Sequence, residues 1–99
     1  MGIEVQIITP EEVIFHGEVD SVIVPGSNGS FQMLQNHAPI VSTLQQGTIK
    51  ILTHTVSKID FKNETGKLEL SPADSKVYHL EVNGGIVEFS NNKLTVLAE

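Results

Sequence analysis

Pro25-Gly26-Ser27-Asn28-Gly29-Ser30-Phe31-Gln32-Met33-Leu34-Gln35-Asn36-His37-Ala38-Pro39 decides how this chain reads. A turn-rich start leads into a short apolar run, and then comes a histidine set against Ala-Pro. Gly26 and Gly29 admit backbone angles that a Cβ forbids. The Pro39 ring fixes its own φ and pushes Ala38 into extended geometry. No helix runs through such a stretch. It predicts a shaped surface feature between strands.

On both sides of this stretch, alternation at period two dominates. Ile3, Val5 and Ile7 point one way and Glu4 and Gln6 the other; Ile49 and Ile51 flank Lys50; Tyr78, Leu80 and Val82 alternate with His79 and Glu81. Half-buried strands have this pattern. Turn signals interrupt them at Gly17, Pro25-Gly26, Gln46-Gly47, Asn63 to Gly66, Ser71-Pro72, Asn83-Gly84 and Asn91-Asn92. Strands are expected near 3–8, 12–16, 18–25, 31–34, 40–44, 47–53, 56–62, 67–71, 77–82, 85–90 and 93–98. Glu11 to Ile14 after Thr9-Pro10 offers a helix start, but the β-branched pair and Gly17 favour a strand. The expected fold is all-β: one domain over 1–99, an antiparallel β-sandwich or flattened barrel of about ten strands. Within it, 54–76 reads as a lengthened or inserted β-hairpin. Its role is either that of a solvated tip guarded by Lys58, Lys62, Lys67 and Lys76 or that of a contact to a neighbouring subunit. Its packing is either that of a free hairpin or that of an integral part of a sheet, and two alternating strands with apolar residues on one face favour the integral sheet.

Composition excludes several classes. Ninety-nine residues suffice for one core. There is no cysteine, hence no disulfide framework and no thiolate metal site. The net charge is −6, with six lysines and no arginine, which argues against nucleic acid. An acidic chain is repelled by anionic headgroups, so direct lipid insertion is not expected. No apolar run reaches the ~20 residues of a membrane span and no signal peptide opens the chain, so it reads as soluble and intracellular.

The residue sets that carry chemistry are weak. His16, His37, His54 and His79 are separated by 21, 17 and 25 positions, far from the close spacing of zinc ligands. Glu11-Glu12 and Glu18/Asp20 read as solvated carboxylates; a glycosidase pair must face across a cleft. No serine lies in a Gly-x-Ser-x-Gly elbow, and no phosphate-binding glycine loop exists. No catalytic residue, metal, cofactor or nucleotide binding is expected. His37 suits either a loop-pinning hydrogen bond or a partner contact.

Four blocks in order carry a resemblance: Ile7-Ile8-Thr9-Pro10-Glu11; Phe15-His16-Gly17-Glu18-Val19-Asp20-Ser21-Val22; Pro25, Gly26, Gly29, His37, Ala38 and Pro39; and Gly84 to Glu99. Together they resemble the N-terminal β-sandwich domain of the ε subunit of F-type ATP synthase. The resemblance leaves out about residues 53–77. It implies a non-catalytic rotor subunit that joins the γ subunit to the membrane ring and couples proton transport to ATP synthesis. It also implies a peripheral place on the cytoplasmic side of the bacterial inner membrane. Carried over, the γ-facing residues are Ile14, Phe15, Ala38, Pro39 and Val41, and the ring-facing residues are Asn28, Ser30 and His37. Ser30 stands where relatives often carry an acid, Gln32 where glycine is common, and Gln35-Asn36 where Pro-Gly is usual. The family's C-terminal helical hairpin is expected to be lacking, since the chain stops where the sandwich is complete. The competing reading is a stand-alone β-sandwich adaptor or ligand-binding module, which requires a concave, aromatic-lined pocket. A third, a small cupin-like metalloenzyme, requires three histidines to converge.

Overall fold

The computed structural model describes residues 2–53, 69–70 and 77–99 of the chain. Ten strands lie among them and no helix: β1 (Ile3–Ile8), β2 (Val13–Val19), β3 (Ser21–Gly26), β4 (Gly29–Leu34), β5 (Ile40–Leu44), β6 (Gly47–Leu52), β7 (Glu69–Leu70), β8 (Val77–Val82), β9 (Gly85–Ser90) and β10 (Lys93–Ala98). The expected hairpin over 54–76 lies outside the described residues apart from β7.

The strands pair in the order β2-β1-β10-β9-β5-β3-β6-β8-β7, with β4 added on β3. This is one curled sheet that folds over on itself. Its two halves join at a narrow seam, since β3 meets β5 only through Gly26 and Leu44. Pro25 sits at this seam, between the residues of β3 that pair with β6 and the one that pairs with β5. A proline lacks the N–H that a central strand needs, and it is tolerated where a strand changes partner. Gly47 makes the fit possible, because a Cβ there would stand 2.8 Å from the Pro25 Cβ.

Alternating residues fill the space between the halves. Ile3, Val5 and Ile7 of β1 meet Val87 and Phe89 of β9 and Leu94 and Val96 of β10 in one buried cluster with Val22, Val24, Ile49, Ile51 and Leu80. Burial of each such side chain stabilises by about 1.5–3 kcal/mol. Three features differ from the sequence reading. First, β1 and β10 pair in parallel, with Val5 opposite Leu94. The first and last strands meet with the whole chain as their connection, so no hairpin dictates their direction. Second, Gly17 does not break a strand. It lies buried within β2 opposite Val5. The corner falls at Asp20, whose N–H donates to the Leu52 carbonyl at 3.0 Å. Glu18 therefore stands exposed on β2, while the half-buried Asp20 lies past its end.

Third, β2 carries a bulge. Ile7 pairs with Phe15 but Ile8 pairs with Val13, which leaves Ile14 as the extra residue. A bulge re-aims the side chains around it. Here it sends both Ile14 and Phe15 inward and turns Val13 to the outer face.

Candidate functional site

The outer face of the half-sheet β2-β1-β10-β9-β5 is built in rows. In-register partners in neighbouring strands share a face. Val41, Glu88, Thr95, Gln6 and His16 form one row across the five strands. The next row reads Thr43, Ile86, Leu97, Ile8 and Val13. On the other side of the Val41 row lie the charged Lys93, Glu4 and Glu18. So the first of these rows is polar but for Val41, and the second is apolar over four strands, a span of about 15 Å at the usual strand spacing. Val41 flanks the apolar row diagonally from Ile86 and is 70% exposed. Ile86, Leu97 and Val13 are also exposed. A depression of about 300 Å³ beside the row is lined by Ile8, Ile86 and Leu97 with Thr9, Pro10 and Gly85. Gly85 is required there, since its φ is 140° and a Cβ would overlap the Leu97 carbonyl oxygen.

Ala38 and Pro39 are exposed and lead directly into β5, so Ala38, Pro39 and Val41 continue the apolar surface along one edge. Ile14 and Phe15 do not join them. Phe15 has no accessible surface and Ile14 almost none, which corrects the expectation that both face a partner. The bulge in β2 is what buries both. Two consecutive apolar residues cannot both point inward in a regular strand, and only the extra residue permits it. Val13, Ile8, Ile86 and Leu97 escape sequence reasoning because a single strand shows each of them as an isolated outward apolar residue. They become a row only through pairing.

The three ring-facing candidates do not form one surface. Asn28 and Ser30 lie exposed at the tip of the β3–β4 hairpin, beside the end of β5, where Ser27 Oγ and Thr43 Oγ1 share a hydrogen bond of 2.8 Å. His37 lies beyond the far end of β4, and a six-residue strand is about 20 Å long. There its Nδ1–H donates to the Ala38 carbonyl at 2.6 Å, and its ring packs edge-on to Phe89 with centroids 5.6 Å apart. His37 thus belongs with Ala38 and Pro39.

Other chemistry has little to draw on. Among the described residues no group of three His, Asp or Glu side chains is placed to hold a metal; His54 lies outside them. His16 stands beside Glu4, at 3.4 Å. A cleft of about 610 Å³ between β2 and β8 is lined by Ile14, Leu80, Val82 and Ala98 with Glu11, His79, Glu81 and Glu99 among its polar groups, and no Phe or Tyr of the described residues lines it. Phe15, Tyr78 and Phe89 are in the core and Phe31 packs against it, so the aromatic-lined pocket of the adaptor reading is not formed among the described residues. Likewise, no helix among them is long and apolar enough to cross a membrane.

These features define a small β-sandwich of the curled, half-barrel kind with an apolar row on a largely polar outer face. Residues 2–61 match the family described as ATP synthase, Delta/Epsilon chain, beta-sandwich domain, and the chain belongs to that family. An ATP synthase epsilon chain of Leptospira interrogans (serovar copenhageni) is 38% identical over 97 residues, a match that covers 98% of this chain and 61% of that one. Another from Chlorobaculum tepidum is 36% identical over 93 residues, covering 94% of this chain and 84% of the relative. The chain thus spans about three-fifths of the length of the Leptospira relatives, 61% in each case. Among solved structures, a chain in the central stalk/c-ring of the Tetrahymena thermophila mitochondrial ATP synthase superposes with a TM-score of 0.64 over 96% of this chain and 61% of that one. At 16% identity, that likeness concerns the fold.

Proposed function

We propose that this chain is the β-sandwich body of a non-catalytic rotor subunit of an F-type ATP synthase, docking on the γ subunit and resting on the membrane ring. One observation carries the docking: an apolar row, Val13-Ile8-Leu97-Ile86, with the exposed Val41 diagonal to it and the exposed Pro39 and Ala38 further along the β5 edge, on a sheet face that is otherwise polar. Contiguous exposed apolar patches mark protein interfaces. Two sheet halves packed on one core form a stiff body, which torque transmission requires. Outside residues 54–76 the sequence holds eight carboxylates and two lysines, so a partner with an apolar centre and a basic rim fits best. In this reading the ring contact falls to Asn28 and Ser30 at the hairpin tip. His37 serves the γ-facing edge instead. The assembled complex would hold the chain peripherally on the cytoplasmic side of the bacterial inner membrane, coupling proton flow to ATP synthesis.

Titration of the folded chain into its cognate γ subunit tests this. Saturable binding that Val41→Asp weakens at least about tenfold, with an unchanged melting temperature, is the expected result. Equal binding by wild type and Val41→Asp removes the proposed face.

A further inference from the structure

Two turns that lie 56 positions apart in the sequence are joined by a pair of asparagines. Leu34 to His37 is one turn, closed by the His37 N–H on the Leu34 carbonyl at 3.1 Å, with Asn36 at φ 67°. The other is the two-residue link between Ser90 and Lys93, where Asn91 and Asn92 have φ of 53° and 61°. Positive φ at both central positions is the type I′ geometry that suits a hairpin. Glycine would serve either turn, and asparagine is among the few other residues that tolerate these angles. Asparagine differs in adding a side chain that can hydrogen-bond. The Asn36 N–H donates to Asn92 Oδ1 at 2.6 Å, and Asn92 Nδ2 donates to Asn36 Oδ1 at 3.3 Å. The Asn92 main-chain carbonyl also accepts the Glu4 N–H at 2.9 Å. Asn92 therefore ties β1, the β9–β10 turn and the loop after β4 to one point.

The apolar edge begins directly after Asn36. His37 is fixed by its hydrogen bond to the Ala38 carbonyl and its contact with Phe89, and Ala38 and Pro39 then lead into β5. Pro39 supplies no N–H and holds its own φ, so the direction of this short segment depends on how it leaves the turn. We propose that the Asn36–Asn92 pair is a positioning device for docking: it sets the path of His37-Ala38-Pro39 and so pre-forms the edge that meets the γ subunit. Asn92 is a positioning residue, acting through Asn36. Pre-ordering a loop strengthens binding because less freedom is lost on association. This inference rests on the docking reading above.

Asn92→Gly separates the roles, because glycine keeps the turn angle and removes both side-chain bonds. Three measurements are made on the intact chain: amide exchange at Asn36, His37 and Ala38; the melting temperature; and affinity for the cognate γ subunit. Expected results are faster exchange at Asn36 and Ala38, a near-constant melting temperature, and an affinity loss of about fivefold, the scale of loop-ordering costs. Asn92→Asp keeps an oxygen facing the Asn36 N–H and should stay within about twofold of wild type; Asn36→Gly keeps that same N–H and should do likewise. A wild-type chain that does not bind γ overturns the docking reading and this role with it. Binding that is equal for wild type and Asn92→Gly overturns the positioning role alone. Unchanged exchange in Asn92→Gly, or an affinity loss matched by a lowered melting temperature, also overturns it.

Discussion

Val13-Ile14-Phe15 in β2 and Pro39-Ile40-Val41 at the start of β5 are two short apolar segments next to turns, at opposite edges of the same half-sheet. In β2, an extra residue turns Ile14 and Phe15 into the core and leaves only Val13 outside. In β5 the alternation is regular: Ile40 packs against the core and Val41 stands out in solvent. Hydrophobicity is similar in the two segments, and their roles differ because one holds the body together while the other is available to a partner. An apolar residue near a loop is therefore no guide to an interface until its strand's register is known.

Substitutions at the two segments should separate along this line. Phe15→Ala should give the largest effect, a loss of about 3–5 kcal/mol of unfolding free energy in a denaturant titration, because it opens a cavity in a closed core. A stable Phe15→Ala chain that fails to bind γ would break the comparison. Val41→Asp should do the reverse: stability within about 0.5 kcal/mol of the parent, as for other exposed sites, and γ affinity down at least about tenfold. Between the two lies Val13, the part of β2 that the bulge turns outward. Val13→Ser should lower γ affinity by roughly threefold with little change in stability, as an edge contact does. A Val13→Ser chain with full affinity would confine the docking surface to β5 and its neighbours. Ser30→Ala, at the distant hairpin tip, should leave γ affinity within about twofold while reducing retention on the membrane ring. A matched loss of γ affinity would merge two surfaces that the fold places apart.

Much of the fold was legible because its cause is local. Ile3-Glu4-Val5-Gln6-Ile7 can bury one face only as a strand, and the structure has β1 there with alternating burial. Asn91-Asn92 between two alternating runs specifies a tight hairpin turn, and both residues have positive φ. The candidate site was less legible. Val41, Pro39 and Ala38 lie exposed, whereas Ile14 and Phe15, carried over with them, are core residues, and His37 lies far from Asn28 and Ser30.

Most of the described strands, most of the turns between them and the family could be read from the chain alone, since alternation, turn chemistry and a motif order are properties of neighbouring residues. Which outward apolar residues join was settled only in three dimensions. The row of Val13, Ile8, Leu97 and Ile86 exists only because β1 lies between β2 and β10, and β10 pairs with β9. The inward turn of Ile14 arises in the same way, through a one-residue slip in register. So does the meeting of Asn36 with Asn92. Each of these depends on pairing between distant segments, and pairing is set by how the whole core closes.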